Sequence, residues 1–333
     1  MPDSVIENTA SGSITDAVAT GGAIKVTAPG SIMLLGEHAV LFGQRALACA
    51  VDKRISVTLT PRNDRQVRID SALAQYAADL DALTPEPRLS FVLAAIERQL
   101  RALKSGFELL IESEFSHTVG LGSSAAVTAA VATAIAAFCG VDIANRNGLF
   151  KEALATVHQV QGRGSGTDLV ASIFGGVVGY SVATADSPAD IKALQGLPEI
   201  SLFYAGYKTR TPDVLRIVEQ RSQQQPELYQ GIYELMGQCA MQAEEAVQQS
   251  DWPRLGQLMN IYQGLMDALG VNDKVLSEIV YSLRESEHIL AAKISGSGLG
   301  DCVLALGQDA TLSLPYEEIP VSVSAQGVII EYL

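Results

Sequence analysis

A glycine-rich turn with two serines, followed at once by an alanine-rich segment, is the part of this sequence best suited to bind an anion. Residues 120–126 read GLGSSAA, and residues 127–138 carry no glycine, proline or charge, which favours a helix. The turn therefore lies at a helix N-terminus, where free backbone N–H groups and the helix dipole attract negative charge. Serine hydroxyls can donate to phosphate or ligate Mg²⁺, so a phosphate-binding loop is predicted here.

The residues of this turn leave other interpretations open. Serine is a common N-cap, so the turn could serve only to start the helix. No lysine follows the glycines, which argues against a Walker A loop. The pattern G-x-G-x-x-A also fits a dinucleotide site with Asp142 as its acid, but no second strand is predicted before Asp142, and this disfavours a dehydrogenase.

Two further stretches carry groups that could act on a hydroxylated substrate. Glu37 and His38 lie between two predicted strands, where they either form a surface turn or hydrogen-bond a substrate hydroxyl. Asp168 closes a second glycine-rich run, residues 162–168 (GRGSGTD). It is either a solvated helix cap or a carboxylate at the rim of a phosphate site, where it could accept a proton from a substrate hydroxyl.

Composition narrows the class of protein. The chain has 333 residues, of which 48% are hydrophobic and 18% charged, and its formal net charge is −14. This length suits two domains or one large one. A protein this acidic has no electrostatic attraction to nucleic acid or to an anionic membrane, so neither is an expected partner. Any bound phosphate must be held by local dipoles and a few cations.

The cysteines and the N-terminus indicate a cytoplasmic protein. The four cysteines are scattered without a C-x-x-C pair, so buried thiols in a reducing compartment are expected and a zinc site is not. Residues 1–22 lack the basic region of a signal peptide and are expected to form a flexible tail. Residues 116–141 contain no Lys, Arg, Asp or Glu, but small residues dominate them, so a buried helix is expected rather than a membrane span.

The first sixty residues are predicted to be rich in strands, and helices dominate the region from 209 to 287. Residues 29 and 30 (Pro-Gly) are predicted to form a turn, and residues 70–83 are predicted to be weakly helical. The predicted strands are residues 23–28, 31–35, 46–51, 54–60, 106–112, 175–181, 200–205, 291–295, 301–306, 321–324 and 328–332. The further predicted helices are residues 89–103, 127–138 and 145–159, and then 209–287 with breaks at Pro226 and Pro253.

Three glycine-rich motifs, taken in order, resemble those of the GHMP small-molecule kinases. They are residues 29–41 (PGSIMLLGEHAVL), 120–126 (GLGSSAA) and 293–302 (KISGSGLGDC). The first motif is most similar to mevalonate kinases. Residues 161–168 and 300–302 look more like phosphomevalonate kinases, so the choice between these two groups stays open, with mevalonate kinases ahead.

The resemblance implies an α+β fold of two lobes. The N-terminal lobe, residues 23–185, would have a ribosomal-S5-like arrangement and carry the nucleotide-binding loop, and the C-terminal lobe, residues 186–333, would be ferredoxin-like with additional helices. It further implies an enzyme that uses ATP and Mg²⁺ to phosphorylate the 5-hydroxyl of mevalonate, and it is compatible with a homodimer. Phosphomevalonate kinase and a non-catalytic nucleotide-binding relative are the alternatives.

The resemblance also implies a role for each motif. Asp168 would orient and deprotonate the hydroxyl, and Ser124 would ligate Mg²⁺. The residues that would hold the nucleotide phosphates are Gly120, Leu121, Gly122, Ser123, Ser124 and Ala125. The residues that would contact the substrate are Glu37, His38, Gly296, Ser297 and Gly298.

Two positions depart from the pattern of mevalonate kinases. Ser31 stands where these enzymes usually have a lysine paired with the catalytic aspartate. Val157 stands where they usually have a glutamate that binds Mg²⁺. Arg163 or Lys208 could supply the missing charge, and Glu152 could reach the metal.

Overall fold

The computed structural model describes residues 22–116, 119–184 and 187–333. Its strands are β1 (Ile24–Leu35), β2 (Ala46–Pro61), β3 (Gln66–Ser71), β4 (Gln75–Asp79), β5 (Phe107–Ser113), β6 (Val177–Ser181), β7 (Asp190–Leu194), β8 (Ile200–Lys208), β9 (Ala291–Ser295), β10 (Gly300–Leu306), β11 (Glu317–Ile319) and β12 (Ile329–Tyr332). Its α-helices are α1 (Ser90–Gln99), α2 (Ser123–Phe138), α3 (Arg146–Gln161), α4 (Thr167–Phe174), α5 (Thr211–Ser222), α6 (Pro226–Gln248), α7 (Trp252–Ala268) and α8 (Lys274–Arg284). Short 3₁₀ turns lie at Ala39–Phe42, Leu80–Ala82 and Pro87–Leu89.

The first sheet has eight strands and is organised around β2. Its main order is β12-β1-β2-β5-β3-β4, and β6 and β7 extend it from the beginning of β2. Strand β2 is long because it pairs with β1 along its length, with β6 at its start and with β5 at its end. These pairings are antiparallel, whereas β3 and β5 run parallel.

The alanine-rich helix α2 packs against β1 and β2. Its small side chains let the helix approach the sheet closely, and almost all of them are buried. The hydroxyls of Thr128 and Thr133 donate to the carbonyls of Ser124 and Ala129, so these buried polar groups are satisfied within the helix. A rigid, buried helix therefore fixes the position of the glycine-rich turn that precedes it.

The second sheet has four antiparallel strands in the order β11-β8-β10-β9. Helices α7 and α8 pack on β9, and α6 packs on α7. Asp251 and Asp273 cap α7 and α8 through their side chains, which satisfies backbone N–H groups at those ends. Pro226 and Pro253 lie in the first turns of α6 and α7, where proline is tolerated, so the helical region is interrupted just before each of them, and the predicted breaks are confirmed.

Three predictions from the sequence about strands and turns are wrong. Residues 321–324 do not form a strand, and only Val323 makes an isolated bridge, to Val51. Residues 70–83 are not helical: they contain the end of β3, then β4 and a 3₁₀ turn, because β4 pairs antiparallel with β3 and this tertiary pairing overrides local propensity. Pro29 and Gly30 do not form a turn. Strand β1 continues through them, and the register against β2 shifts between Pro29 and Ser31, so the irregularity is a bulge within one strand.

Two strands from the predicted C-terminal lobe belong to the first sheet. β7, at residues 190–194, pairs with β6, and β12, near the C-terminus, pairs with β1. The boundary between lobes at residues 185 and 186 stays a prediction, and the predicted tail at residues 1–22 lies outside the described residues except for Gly22. No helix in the described ranges combines the length and the hydropathy that crossing a membrane requires.

Candidate active site

The glycine-rich turn is tied to β1 and leads directly into α2. The backbone N–H of Ser31 donates to the carbonyl of Leu121 at 3.0 Å, and the Leu121 side chain is fully buried in the core. Gly122 has a φ of 62°, a conformation that favours glycine. The first backbone N–H groups of α2, from Ser123 onward, follow this fixed turn, and within the described residues no side chain caps them, so they are suited to an anion.

The two glycines of this turn allow other segments to approach the backbone. A Cβ at Gly122 would lie 2.1 Å from Ser31 Oγ, and a Cβ at Gly120 would lie 2.3 Å from Asp301 Oδ1. Any side chain at either position would displace these groups. The turn is thus the place where β1, β10 and the start of α2 come together.

Asp168 lies in the first turn of α4, beside the glycine-rich turn, and is only partly exposed. Ser31 Oγ donates to Asp168 Oδ1 at 2.8 Å. Burial raises the pKa of Asp168 above its ordinary value, and the charge of Asp301 acts in the same direction, whereas Ser31 and Lys208 act against it. The carboxylate is therefore a better proton acceptor, when ionised, than one in water.

Glu37 forms a buried ion pair with Lys293 of β9. Lys293 Nζ lies 2.5 Å from Glu37 Oε1, and the two side chains are 0% and 1% exposed. Burial raises the pKa of Glu37, and the nearby lysine opposes the change. Tyr262 completes the arrangement: its hydroxyl donates to the Glu37 carbonyl and accepts from the Gly36 N–H, both at 2.9 Å. Glu37 Oε2 is buried without a hydrogen-bond partner among the described residues.

His38 connects the first and third motifs. Its Nε2 lies 2.9 Å from the carbonyl oxygen of Ser297. A carbonyl can only accept, so Nε2 carries the proton and Nδ1 is an acceptor when the ring is neutral. Burial lowers the pKa of His38, which favours that neutral ring, and within the described chain no partner for Nδ1 is found.

These groups surround a cavity of about 320 Å³. The predicted site residues that line it are Glu37, His38, Ser124, Ala125, Asp168, Gly296 and Ser297. It also contains Arg163, and Val157 forms part of its wall. The three motifs and the run that ends at Asp168 therefore meet at one cavity, as their resemblance to a kinase implies.

The remaining predicted residues are not part of this cavity's lining. They are Gly120, Leu121, Gly122, Ser123 and Gly298. Gly298 is adjacent to the backbone of Val271, since a Cβ on it would lie 2.4 Å from the Val271 carbonyl oxygen. Glu152, considered as a metal ligand, pairs instead with Arg98 of α1 through two hydrogen bonds of 2.6 and 3.2 Å.

Sequence reasoning missed the partners of the first motif. Lys293 stands in the third motif, but its pairing with Glu37 was not predicted, nor was the role of Tyr262. A signal for the pair does exist, because Lys293 lies in the apolar strand segment AAKIS. A lysine in a buried strand requires a buried acid nearby.

The chain is similar to known kinases along most of its length. The sequence model of the GHMP kinases N terminal domain matches residues 90–176, and that of the GHMP kinases C terminal region matches residues 243–313. The mevalonate kinase of Aeropyrum pernix is 31% identical over 310 residues, covering 91% of this chain and 94% of that protein. The mevalonate kinase of Pyrococcus furiosus is 32% identical over 300 residues, covering 84% and 88%.

The fold is also found in solved structures. The Lin0012 protein from Listeria innocua matches with a TM-score of 0.81 at 23% identity, covering 93% of this chain and 99% of that chain. This likeness concerns the fold, and it confirms the α+β architecture predicted from the three motifs. Together with the identity to relatives over most of both chains, these findings show that the chain belongs to the GHMP kinase family.

Proposed function

We propose that this chain transfers the γ-phosphoryl group of ATP to the 5-hydroxyl of mevalonate. The observation that carries the proposal is the position of Asp168, a carboxylate of raised pKa at a cavity shared by all three motifs. Mevalonate kinases at 31% and 32% identity match over most of their length, which supports the choice of alcohol.

Asp168 is the proposed base. Ser31 occupies its Oδ1, which leaves Oδ2 to orient the substrate hydroxyl and take its proton. As the hydroxyl oxygen bonds to the γ-phosphorus, the bond to the β,γ-bridging oxygen breaks and ADP leaves with that electron pair. Such a reaction depends on positioning and charge neutralisation, which the turn at residues 120–122 and the N-terminus of α2 would supply by holding the phosphates.

The residues present fit a Mg²⁺ ion that arrives bound to nucleotide phosphates. Mg²⁺ at such sites is held largely by phosphate oxygens and water, with one or two protein ligands. Ser124 lines the cavity in the first turn of α2 and is the proposed ligand, while the described residues form no cluster of three metal-binding side chains. When bound, the metal would neutralise charge on the phosphates. Val157 lines the same cavity with an apolar side chain and cannot ligate the metal.

Arg163 is the proposed partner of the substrate carboxylate. Among the described residues that line the cavity it is the single lysine or arginine. Mevalonate carries one carboxylate and two hydroxyls, and it therefore needs one cation and several neutral hydrogen-bond partners. The neutral ring of His38 is such a partner, and a guanidinium is well suited to a carboxylate.

Phosphomevalonate is the weaker alternative substrate. It carries a phosphate in addition to the carboxylate, and Arg163 would have to serve both groups. A non-catalytic relative is the second alternative, suggested by Ser31 and Val157. The presence of Asp168 with a hydrogen-bonded, partly buried carboxylate favours catalysis over that alternative.

Release of ADP in a coupled assay with ATP and Mg²⁺ tests the proposal. Mevalonate, phosphomevalonate and galactose should be compared, with an Asp168→Ala variant to measure contaminating activity. Release with mevalonate alone is expected. Release with phosphomevalonate alone would identify the protein as a phosphomevalonate kinase. ATP binding without ADP release for any alcohol would favour a non-catalytic relative.

Two broader expectations stay predictions. A homodimer is compatible with the family resemblance, and sedimentation of the purified protein at micromolar concentration would test it. A cytoplasmic location, expected from the scattered cysteines, would be tested by fractionation of cells that express the protein.

A further inference from the structure

An ion pair between the ends of β8 and β10 lies against the glycine-rich turn. Lys208 is the last residue of β8, and Asp301 is the second residue of β10. Lys208 Nζ lies 2.7 Å from Asp301 Oδ2, and the two side chains are 35% and 12% exposed. The roles proposed above for Asp168, Ser124 and Arg163 do not use this pair.

The Asp301 carboxylate lies at an irregularity in the pairing of β8 with β10 and reaches the glycine-rich turn. The pairing of β10 with β8 shifts between Gly300, opposite Lys208, and Cys302, opposite Tyr204. Residues 205–207 of β8 therefore lie opposite Asp301 alone, so β8 is the strand that bulges. Asp301 itself has a φ of 70°, a conformation that aspartate tolerates better than most residues. Bulges commonly redirect a side chain at a functional site. Here the carboxylate contacts Gly120, where a Cβ would lie 2.3 Å from Oδ1.

An acid in this place requires a cation. The turn at residues 120–122 is the proposed site of the nucleotide phosphates, and an unpaired Asp301 beside it would repel them. Lys208 neutralises that carboxylate. Its ammonium has three N–H donors, of which Asp301 uses one, so the others are available to phosphate oxygens.

The pair also lies within electrostatic reach of the proposed base. Lys208 lowers the pKa of Asp168 and Asp301 raises it. Ser31, the third polar group that acts on Asp168, carries no charge. A positive group near the reacting atoms is therefore present in this chain, but on β8 instead of β1.

We propose that Lys208, held in place by Asp301, contacts the transferred phosphoryl group and supplies the positive charge that the chain lacks at Ser31. Lys208 is then a catalytic residue, and Asp301 is a positioning residue that acts through it. This inference rests on the proposed function, because it concerns the same transfer from ATP.

The experiment compares Lys208→Met, Lys208→Arg and Asp301→Asn with the unmodified protein. Lys192→Met is the matched control, since Lys192 also pairs with a carboxylate, Glu244, at 2.7 Å and is partly exposed, but is not among the groups that act on Asp168. Two quantities are measured for each variant: the kcat and KM for mevalonate, and the dissociation constant of a non-hydrolysable ATP analogue with Mg²⁺. Thermal unfolding of each variant shows that it is folded.

For Lys208→Met we expect kcat to fall by about a hundredfold or more, as for loss of a transition-state donor, with KM for mevalonate nearly unchanged. The analogue should bind about tenfold more weakly, the scale of one charge-assisted hydrogen bond. Lys208→Arg should recover part of both losses, and Lys192→Met should show neither. Asp301→Asn should lower kcat less, and it should move the acidic limb of the pH profile of kcat downward, whereas Lys208→Met moves it upward.

A kcat for Lys208→Met within about threefold of the unmodified protein would overturn the inference, even if mevalonate is the substrate. Should the unmodified protein phosphorylate none of the alcohols, the proposed function fails, and the binding constants then decide on Lys208. Equal binding of the analogue by Lys208→Met and Lys192→Met would overturn it in that case. If Lys208→Met does not fold, Asp301→Asn decides, and an unchanged kcat together with unchanged binding of the analogue in that variant would overturn the inference.

Discussion

Two lysine–carboxylate pairs connect strands of the second sheet with the glycine-rich motifs, and they differ in their access to water. Lys293 and Glu37 are 0% and 1% exposed, with an Nζ–Oε1 distance of 2.5 Å. Lys208 and Asp301 are 35% and 12% exposed, with an Nζ–Oδ2 distance of 2.7 Å. The same chemical groups at nearly the same separation thus occupy two different environments.

The difference in burial assigns the pairs different tasks. Lys293 also donates to the carbonyl of Ile294 and lies over the ring of Tyr262, 5.4 Å from its centroid, so its donors are directed at the protein. Such a pair holds the first motif in place, and a charge left alone there has no water to solvate it. Lys208 keeps donors that can reach a ligand. The comparison predicts that the first pair governs stability and the second governs turnover.

The largest effect is expected for Lys293→Met. Removal of the ammonium leaves Glu37 buried without its partner, and breaking such a pair costs about 3–5 kcal/mol of unfolding free energy. The carboxyl of Glu37, whose pKa burial already raises, would then stay protonated to higher pH in the folded state than in the unfolded state. Stability therefore falls as pH rises above the unfolded pKa, and urea unfolding should show a larger loss at pH 8 than at pH 5.5.

The double variant Glu37→Gln with Lys293→Met is the control for this prediction. It removes both charges, so most of the lost stability should return, and the difference between pH 5.5 and pH 8 should disappear. Lys192→Met should change stability by less than about 1 kcal/mol, because partly exposed pairs contribute little. A stable Lys293→Met protein at pH 8 would contradict the role given to the buried pair.

Asp168→Ala should produce the opposite signature to Lys293→Met. Loss of a general base lowers kcat by at least about a hundredfold, while the unfolding free energy should not fall, because a carboxyl of raised pKa is destabilising when ionised in the folded state. Steady-state kinetics and urea unfolding of the same preparation measure both. Near-normal turnover would remove Asp168 from its proposed role.

Local sequence determines the parts of the fold that were predicted correctly. The turn at residues 120–122 and helix α2 depend on glycine, serine and alanine preferences over a few neighbouring residues. The interruptions of the helical region just before Pro226 and Pro253 depend on the same kind of short-range geometry. Such features appear in the sequence because the residues that cause them are adjacent.

The parts that were missed depend on contacts between distant residues. Glu37 and Lys293 are 256 positions apart, and the sequence around either residue does not indicate which residue is its partner. The strand character of residues 75–79 arises from pairing with β3, a partner that local propensity does not reveal. Likewise, Glu152 was considered as a metal ligand, but in the fold it forms an ion pair with Arg98, a partner that the sequence did not indicate.

Arg163→Ala tests an accessible cation on the substrate side of the cavity. Arg163 is exposed and lines the cavity. Like the partly exposed Lys208–Asp301 pair, it should affect turnover and not folding, so its substitution should leave the unfolding free energy unchanged. We expect KM for mevalonate to rise about tenfold, the lower range for a charged hydrogen bond, with kcat nearly constant. Arg163→Lys should show a smaller rise, and Arg101→Ala, an exposed arginine outside the cavity lining, should show none. A fall in kcat without a change in KM would contradict the assignment to the carboxylate.

Ser31→Ala should give the smallest effect, and it shows how far an uncharged neighbour can substitute for a cation. The Ser31 hydroxyl stabilises the ionised form of Asp168 and so lowers its pKa, against the effect of burial. Without it the pKa rises, and because the base must be ionised to accept a proton, the acidic limb of the kcat profile should move to higher pH. At the optimum kcat should fall by less than about fivefold, the scale of one neutral hydrogen bond. Ser172→Ala, which removes a buried hydroxyl without a partner in the described chain, should leave the profile in place. An acidic limb that does not move, or that moves to lower pH, in Ser31→Ala would contradict the role given to the Ser31 hydroxyl.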